Sequence, residues 1–388
     1  MNVLISGAGI GGTAAALFLG KIGITPTLLD KAPSFQKLGY ILSLKNFGLS
    51  LMKELGLLEE LRQRGLPYST FRFYRPDDTL LQEYPKDIVD RITQGEVFVY
   101  RSDLHDILYR AAQQLAGIRF GVQITAVHQN PESVHVVFSD GREESFDALV
   151  ISEGLRSSTR TMLWGAEGME PFDIVYTAAT MDRHHGYDRT CMSTYFGLNN
   201  ALLTFPITED RLVIQSYLRG QLAEGATNRD VQRVLIETFG RHAPRVVDLL
   251  KAMRPEEYVF HDNVAMVMLP ALNKGRVALL GDAGYCPTFL SGMGASLALL
   301  GAKALSQAFA QYPADPPRAL AGYNASLQKP VRHFHENASR NANLVLQRSQ
   351  WKLALFGWMT SIIPPSVTAR KLGKQFRKEK GLLARLVS

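Results

Sequence analysis

Cysteine is nearly absent: Cys191 and Cys286 are the only two in 388 residues, far apart and in no C-x-x-C pair. That excludes a disulfide framework and a cysteine zinc site, and a reducing cytoplasm is the expected home. A long apolar run is missing too. The first twenty residues carry no charged side chain, yet they lack a basic n-region and are crowded with glycine, so they read as neither signal peptide nor span. The uncharged stretch 353–369 is broken by Pro364 and Pro365, and its apolar part falls short of the ~18 residues a span needs. Histidine offers no metal site. His184 and His185, adjacent on an expected strand, would point to opposite faces; His333 and His335 lie ~200° apart around an expected helix and read as solvated. No repeat or low-complexity tract occurs.

What is present is ordinary for a globular chain, with 46% hydrophobic and 20% charged residues, and enough length for two or three domains at ~100–200 residues each. The unusual total is a net charge of +7 with a pI near 9.3, which invites a nucleic-acid or anionic-membrane partner. The excess is local. From 370 to 388 there are seven basic residues against one acid, Glu379, interleaved with Leu372, Phe376, Leu382, Leu383 and Leu386. The rest is almost neutral, so no nucleic acid is expected. For 344–388 two readings stand: peripheral contact with an anionic membrane, at the inner membrane surface, or a solvated tail plus a helix capping a pocket or a dimer seam.

The chain opens as a βαβ unit. Residues 2–6 (NVLIS) form a short apolar strand, G-A-G-I-G-G follows, and TAAALFLGKIG suits a helix packed on a sheet before TPTLLD ends a second strand at Asp30. Gly7, Gly9 and Gly12 form G-x-G-x-x-G. The first glycine permits the turn, the second lets backbone approach a pyrophosphate, and the third lets helix and strand pack closely. Asp30 is placed to accept hydrogen bonds from a ribose and would repel a 2′-phosphate, so FAD or NAD is favoured over NADP there. An α/β chain with a parallel sheet is therefore expected. The run 146–152 (FDALVIS) reads as a buried parallel strand, and 123–128 with 134–138 as a hairpin. Residues of about 165 to 270 change texture to short alternating segments with one helical stretch, 230–239, which suggests an inserted antiparallel sheet. At 276–283 (RVALLGDA) the buried-strand pattern returns, and a helix is expected from about Ala295.

The return segment carries a second motif. Gly281, Asp282, Ala283, Pro287, Gly292 and Gly294, in RVALLGDAGYCPTFLSGMGASLALLGAKAL, resemble the second FAD fingerprint of the class A, single-component aromatic hydroxylases. The Y-C-P-x-x-L-S-G-x-G form is most similar to the branch with tetracycline-inactivating monooxygenases. Asp282 at a strand end can bind ribityl or ribose hydroxyls, and Gly292, Met293 and Gly294 would bring backbone flat beside an isoalloxazine. In ISEGLRSSTR, Glu153 stands where the family has Asp, while Gly154, Ser157 and Arg160 match; this departure bears on reduced-nicotinamide use more than on FAD. Arg101 in YRSDLHDIL resembles the family's arginine near flavin and pyrophosphate, the alternative being an exposed helix-start arginine.

The resemblance implies a Rossmann-like FAD-binding domain of the glutathione-reductase and aromatic hydroxylase type. It would span 1–165, with some substrate-domain strands at about 68–100, and return at 271–340. A substrate-binding β-sheet domain would occupy 166–270 and a C-terminal helical region 341–388. The implied activity is NAD(P)H- and O2-dependent hydroxylation of a polycyclic, aromatic or quinone-like small molecule through a flavin C4a-hydroperoxide. The alternative is an FAD-dependent dehydrogenase or reductase of a lipophilic substrate without oxygen insertion. No catalytic side chain is assigned; Tyr195 and Arg219 are candidates for a substrate-activating base, each equally readable as packing or surface. The expected assembly is a monomer or a homodimer.

Overall fold

The computed structural model describes residues 1–35, 39–45, 47–93, 95–166, 168–254 and 257–387. Its parallel sheet is built by strands that are buried on both faces and therefore read as unbroken apolar runs. β1 (Val3–Ser6) lies between β2 (Thr27–Asp30) and the strand Ala148–Ile151, which in turn pairs in parallel with Val277–Leu279. Leu149 aligns with Leu4 on one side and Val277 on the other, so the chain returns to this sheet after more than a hundred residues away from it. One face carries α1 (Ile10–Gly20) and the long helix Gly294–Gln311, whose small residues permit close approach. The other face is covered by a three-stranded antiparallel sheet: Ile124–Gln129 and Val134–Phe138 pair, and Glu143–Phe146, absent from the sequence reading, adds a third strand.

The second sheet has seven strands. Its spatial order runs Val259–Val267, Met169–Asp182, Arg211–Arg219, Asn200–Thr208, Cys191–Gly197, Thr70–Tyr74, Leu80–Tyr84. All neighbours are antiparallel except Cys191–Gly197 with Thr70–Tyr74, so the strands near 70–84 join this sheet. One face is closed by Asn228–Phe239, started by a Thr227–Asp230 capping box, and by Pro244–Lys251 with proline in its first turn. The second of these helices is short and escaped the sequence reading.

Two expectations about histidine are corrected. The strand Met169–Asp182 ends before His184 and His185, which lie in the following loop with nearly parallel rings; alternation along a strand does not apply to them. His335 is buried, not solvated, because its helix Pro316–Val345 turns that face onto the body of the fold. Among the described residues no group of three or more metal-ligating side chains occurs, and no helix is long and apolar enough to cross a membrane. The C-terminal helices Gln350–Ile362 and Pro365–Val387 pack on the body.

Candidate cofactor and substrate site

Gly7 has φ +102°, a left-handed conformation that only glycine adopts freely, and a Cβ there would stand 2.3 Å from the Ser152 carbonyl oxygen. A Cβ on Gly12 would stand 1.9 Å from the Gly7 oxygen, so this glycine packs helix on strand and does not line the cavity. Gly9 is different. It has extended backbone and open space where a Cβ would be, at the N-terminus of α1, where the first-turn N–H groups have no intrahelical acceptor. Asp30 Oδ2 accepts from the Ala8 N–H and Oδ1 from the Ala32 N–H, both at 2.9 Å. These bonds fix the carboxylate and leave further lone pairs for a ligand hydroxyl.

These residues line one end of a cavity of about 810 Å³. Arg101, at the start of the helix Arg101–Ala112, faces the same space, so the exposed-arginine alternative does not hold. The return motif forms the middle of the wall: Gly281, Asp282, Pro287, Gly292 and Gly294 line it, with Gly281 at φ +65° and Gly292 at φ +61°. Asp282 is exposed and lines the cavity. The protein packed around it raises its carboxyl above the usual carboxylate range, and the Arg101 guanidinium pulls it back. The side chain of Met293 leaves this wall for the hydrophobic core, so only its backbone adjoins the glycines.

Glu153 and Gly154 line the cavity as well. The Glu153 carboxylate is heavily engaged: it accepts from the hydroxyls of Ser6, Ser157 (2.6 Å) and Thr159 (2.7 Å) and from the Thr159 N–H (3.1 Å). Its extra methylene relative to aspartate is thus absorbed in bonds that close the loop onto β1. Arg160 is buried and donates to the carbonyls of Leu155 (2.8 Å) and Ala283 (3.2 Å), tying this loop to the return motif.

The far end of the cavity is aromatic. Phe71, Phe73, Phe205 and Tyr217 come from the seven-stranded sheet and Phe289 from the Gly-rich loop, with Tyr176 stacked on Phe289 at 4.3 Å. Burial pushes the phenols of Tyr40, Tyr176 and Tyr217 upward, so they stay protonated at neutral pH. Few polar groups face this end. Gln215 donates to the Ile41 carbonyl at 2.8 Å, and Lys45 pairs with Glu96 at 3.7 Å. Lys45 Nζ also lies 3.7 Å from where a Gly292 Cβ would stand.

Sequence reasoning missed Lys45, Glu96 and Gln215. Only strand parity could have found Gln215, and it requires knowing which face meets the cavity. The same parity corrects the proposed bases. Tyr195 is odd in a strand whose even member Met192 lines the cavity; it is buried on the opposite face, stacked on Tyr74 at 5.1 Å and bonded by Arg245. Arg219 shares a face with Gln215 and Tyr217 but lies at the strand end, 3.5 Å from the Leu346 carbonyl and outside the lining. Near Asp30 the reading missed another group: His105 Nε2 donates to the Ala8 carbonyl at 2.6 Å, its ring 4.7 Å from Phe35, and burial lowers its pKa.

The profile of a family described as FAD binding domain matches residues 1–326. The FAD-dependent monooxygenase asL6 of Sarocladium schorii is 27% identical, over 98% of this chain and 96% of its own. Among solved structures, tetracycline destructase Tet(51) superposes with a TM-score of 0.79 at 21% identity, covering 100% of this chain and 98% of its own. Klebsiella pneumoniae HpxO complexed with FAD and uric acid gives 0.84 at 21% identity, covering 97% of each chain.

Proposed function

This chain belongs to the FAD-binding-domain family and is an FAD-dependent monooxygenase, and from that premise we propose that it uses NAD(P)H and O2 to hydroxylate a polycyclic, aromatic or quinone-like molecule. The observation that carries the reading is the continuity of one cavity, from the glycine turn and Asp30, past Asp282 and the Gly292–Gly294 backbone, to the aromatic chamber. FAD, when bound, supplies electron transfer from the nicotinamide and the activation of O2.

The residues fit that group. The N-terminus of α1 would face its pyrophosphate and Asp30 a ribose, while Asp282 and Arg101 would meet the ribityl hydroxyls on the flavin side of the pyrophosphate. Residues 1–165 and 271–340 would hold the cofactor, and 166–270 with the strands near 68–100 the substrate. The chamber walls would orient a flat substrate by ring packing and exclude water. Lys45, beside Gly292 and paired with Glu96, would hold a phenolic, enolic or carboxylate oxygen of the substrate. The buried phenols remain protonated and act as donors, not bases. The full chain should purify yellow and consume O2 and NAD(P)H in a substrate-dependent way. A colourless protein whose spectrum ignores added FAD would overturn the proposal, and substrate oxidation without oxygen incorporation would replace it with the dehydrogenase reading.

A further inference from the structure

The two C-terminal helices dispose their apolar side chains differently. In Pro365–Val387 three apolar side chains turn inward, Leu383 and Leu386 into the main core and Ala369 against Phe71, Ile88 and Met192, while Val367 and Leu382 stay exposed. The tail is therefore held to the body as a clasp through Ala369, Leu383 and Leu386. The preceding helix, Gln350–Ile362, does the opposite. Phe356 stacks edge-on against Phe196 at 5.1 Å, and Gly357 packs over Leu81. The other face carries Trp351 (64% exposed), Leu355, Trp358 (58%), Met359 and Ile362 (54%). At 100° per residue these five fall within about 100° of arc, a single stripe.

We propose that this stripe is a docking surface for an anionic lipid bilayer, with the helix lying in the interface plane. Charge complementarity selects that occupant. Exposed cations bracket the stripe in the chain: Arg348 and Lys352 at one end, Arg370, Lys371 and Lys374 just past the Pro364 turn at the other. Glu379, the one acid after Glu336 in the sequence, is buried beside His333. Two tryptophans amid apolar residues and cations are what an interface favours, because the indole spans apolar and wet layers while lysine and arginine meet lipid phosphates. The helix has 13 residues, about 20 Å, too short to span a bilayer but suited to lie on one. The opposite face of this helix adjoins the aromatic chamber through Phe356, Phe196 and Phe73, so docking would bring the chamber beside the lipid that carries an apolar substrate. This rests on the surface alone and stands whether or not oxygen is inserted.

The test is co-sedimentation of the full-length, FAD-loaded protein with vesicles of phosphatidylcholine, with and without phosphatidylglycerol, at low and high salt. Binding is expected only with the anionic lipid, weakened by salt, with a blue shift of tryptophan fluorescence. The variant Trp351→Ser/Trp358→Ser/Ile362→Ser should lose binding while keeping its thermal stability and flavin content. Arg370→Gln/Lys371→Gln/Lys374→Gln should weaken it by about fivefold per cation removed. Absence of binding, or binding untouched by the serine variant, would overturn the proposal. So would a homodimer that buries both tryptophans and falls apart in the serine variant without any affinity for vesicles.

Discussion

At the residue scale, the glycine loop separates folding from binding. Gly7→Ala puts a methyl into the backbone at Ser152 in a conformation alanine resists, so it should lower Tm and flavin content together. Gly9→Ala meets open space in extended backbone, so its Tm should stay near the wild type while FAD affinity falls by roughly tenfold, because the methyl would stand where the pyrophosphate is proposed to approach. Equal loss of Tm in both variants would refute the assigned roles. Asp282 has the opposite balance. Its folded pKa is raised, so its carboxylate is a burden that grows as pH rises above the usual carboxylate range. Asp282→Asn should therefore cost the flavin-free protein no Tm at neutral pH while weakening FAD binding, measured by thermal melts and flavin titration. His242 is buried, and burial lowers its pKa to about 4. The unfolded chain takes up that proton below about 6.5, so stability is held above 6.5 and lost between there and 4, by at most ~3 kcal/mol. His242→Phe should flatten this part of the pH–Tm curve.

Elements differ in how openly they announce themselves. The βαβ unit and the return strand were legible because burial on both faces forces apolar runs, and because glycine at Gly7, Gly12 and Gly292 is demanded by close approach or positive φ. The chamber was not legible. Its wall is assembled from side chains such as Phe71, Met192 and Gln215, distant in the chain, whose directions depend on register and on which face the helices Asn228–Phe239 and Pro244–Lys251 cover. The tail left two readings open for a related reason: its amphipathic pattern shows that one face is buried, not whether lipid or protein buries it. Since Leu383 lies in the main core, Leu383→Ala should destabilise the fold by about 2–4 kcal/mol, read from denaturant midpoints. A cost near zero would return the tail to solvent. Removal of the whole helix should also open the chamber, because Thr368 forms part of its wall.

For the whole molecule, the basic total resolves into a nearly neutral flavoenzyme body and a cationic C-terminal end. The body joins two sheets across one cavity, with the cofactor motifs at one end and an aromatic, sparsely polar chamber at the other. In the proposed function that arrangement would bring an electron-rich ring to the place where reduced cofactor meets oxygen, and would leave the chain's side chains the tasks of binding, orienting and drying. The most direct test supplies the FAD-loaded enzyme with NAD(P)H, a polycyclic phenol or quinone-like substrate and isotopically heavy O2 gas, and weighs the product by mass spectrometry. One heavy oxygen atom from the gas, and none from heavy water in the reciprocal experiment, is the predicted result. A product that is oxidised but carries no oxygen from the gas would contradict the account.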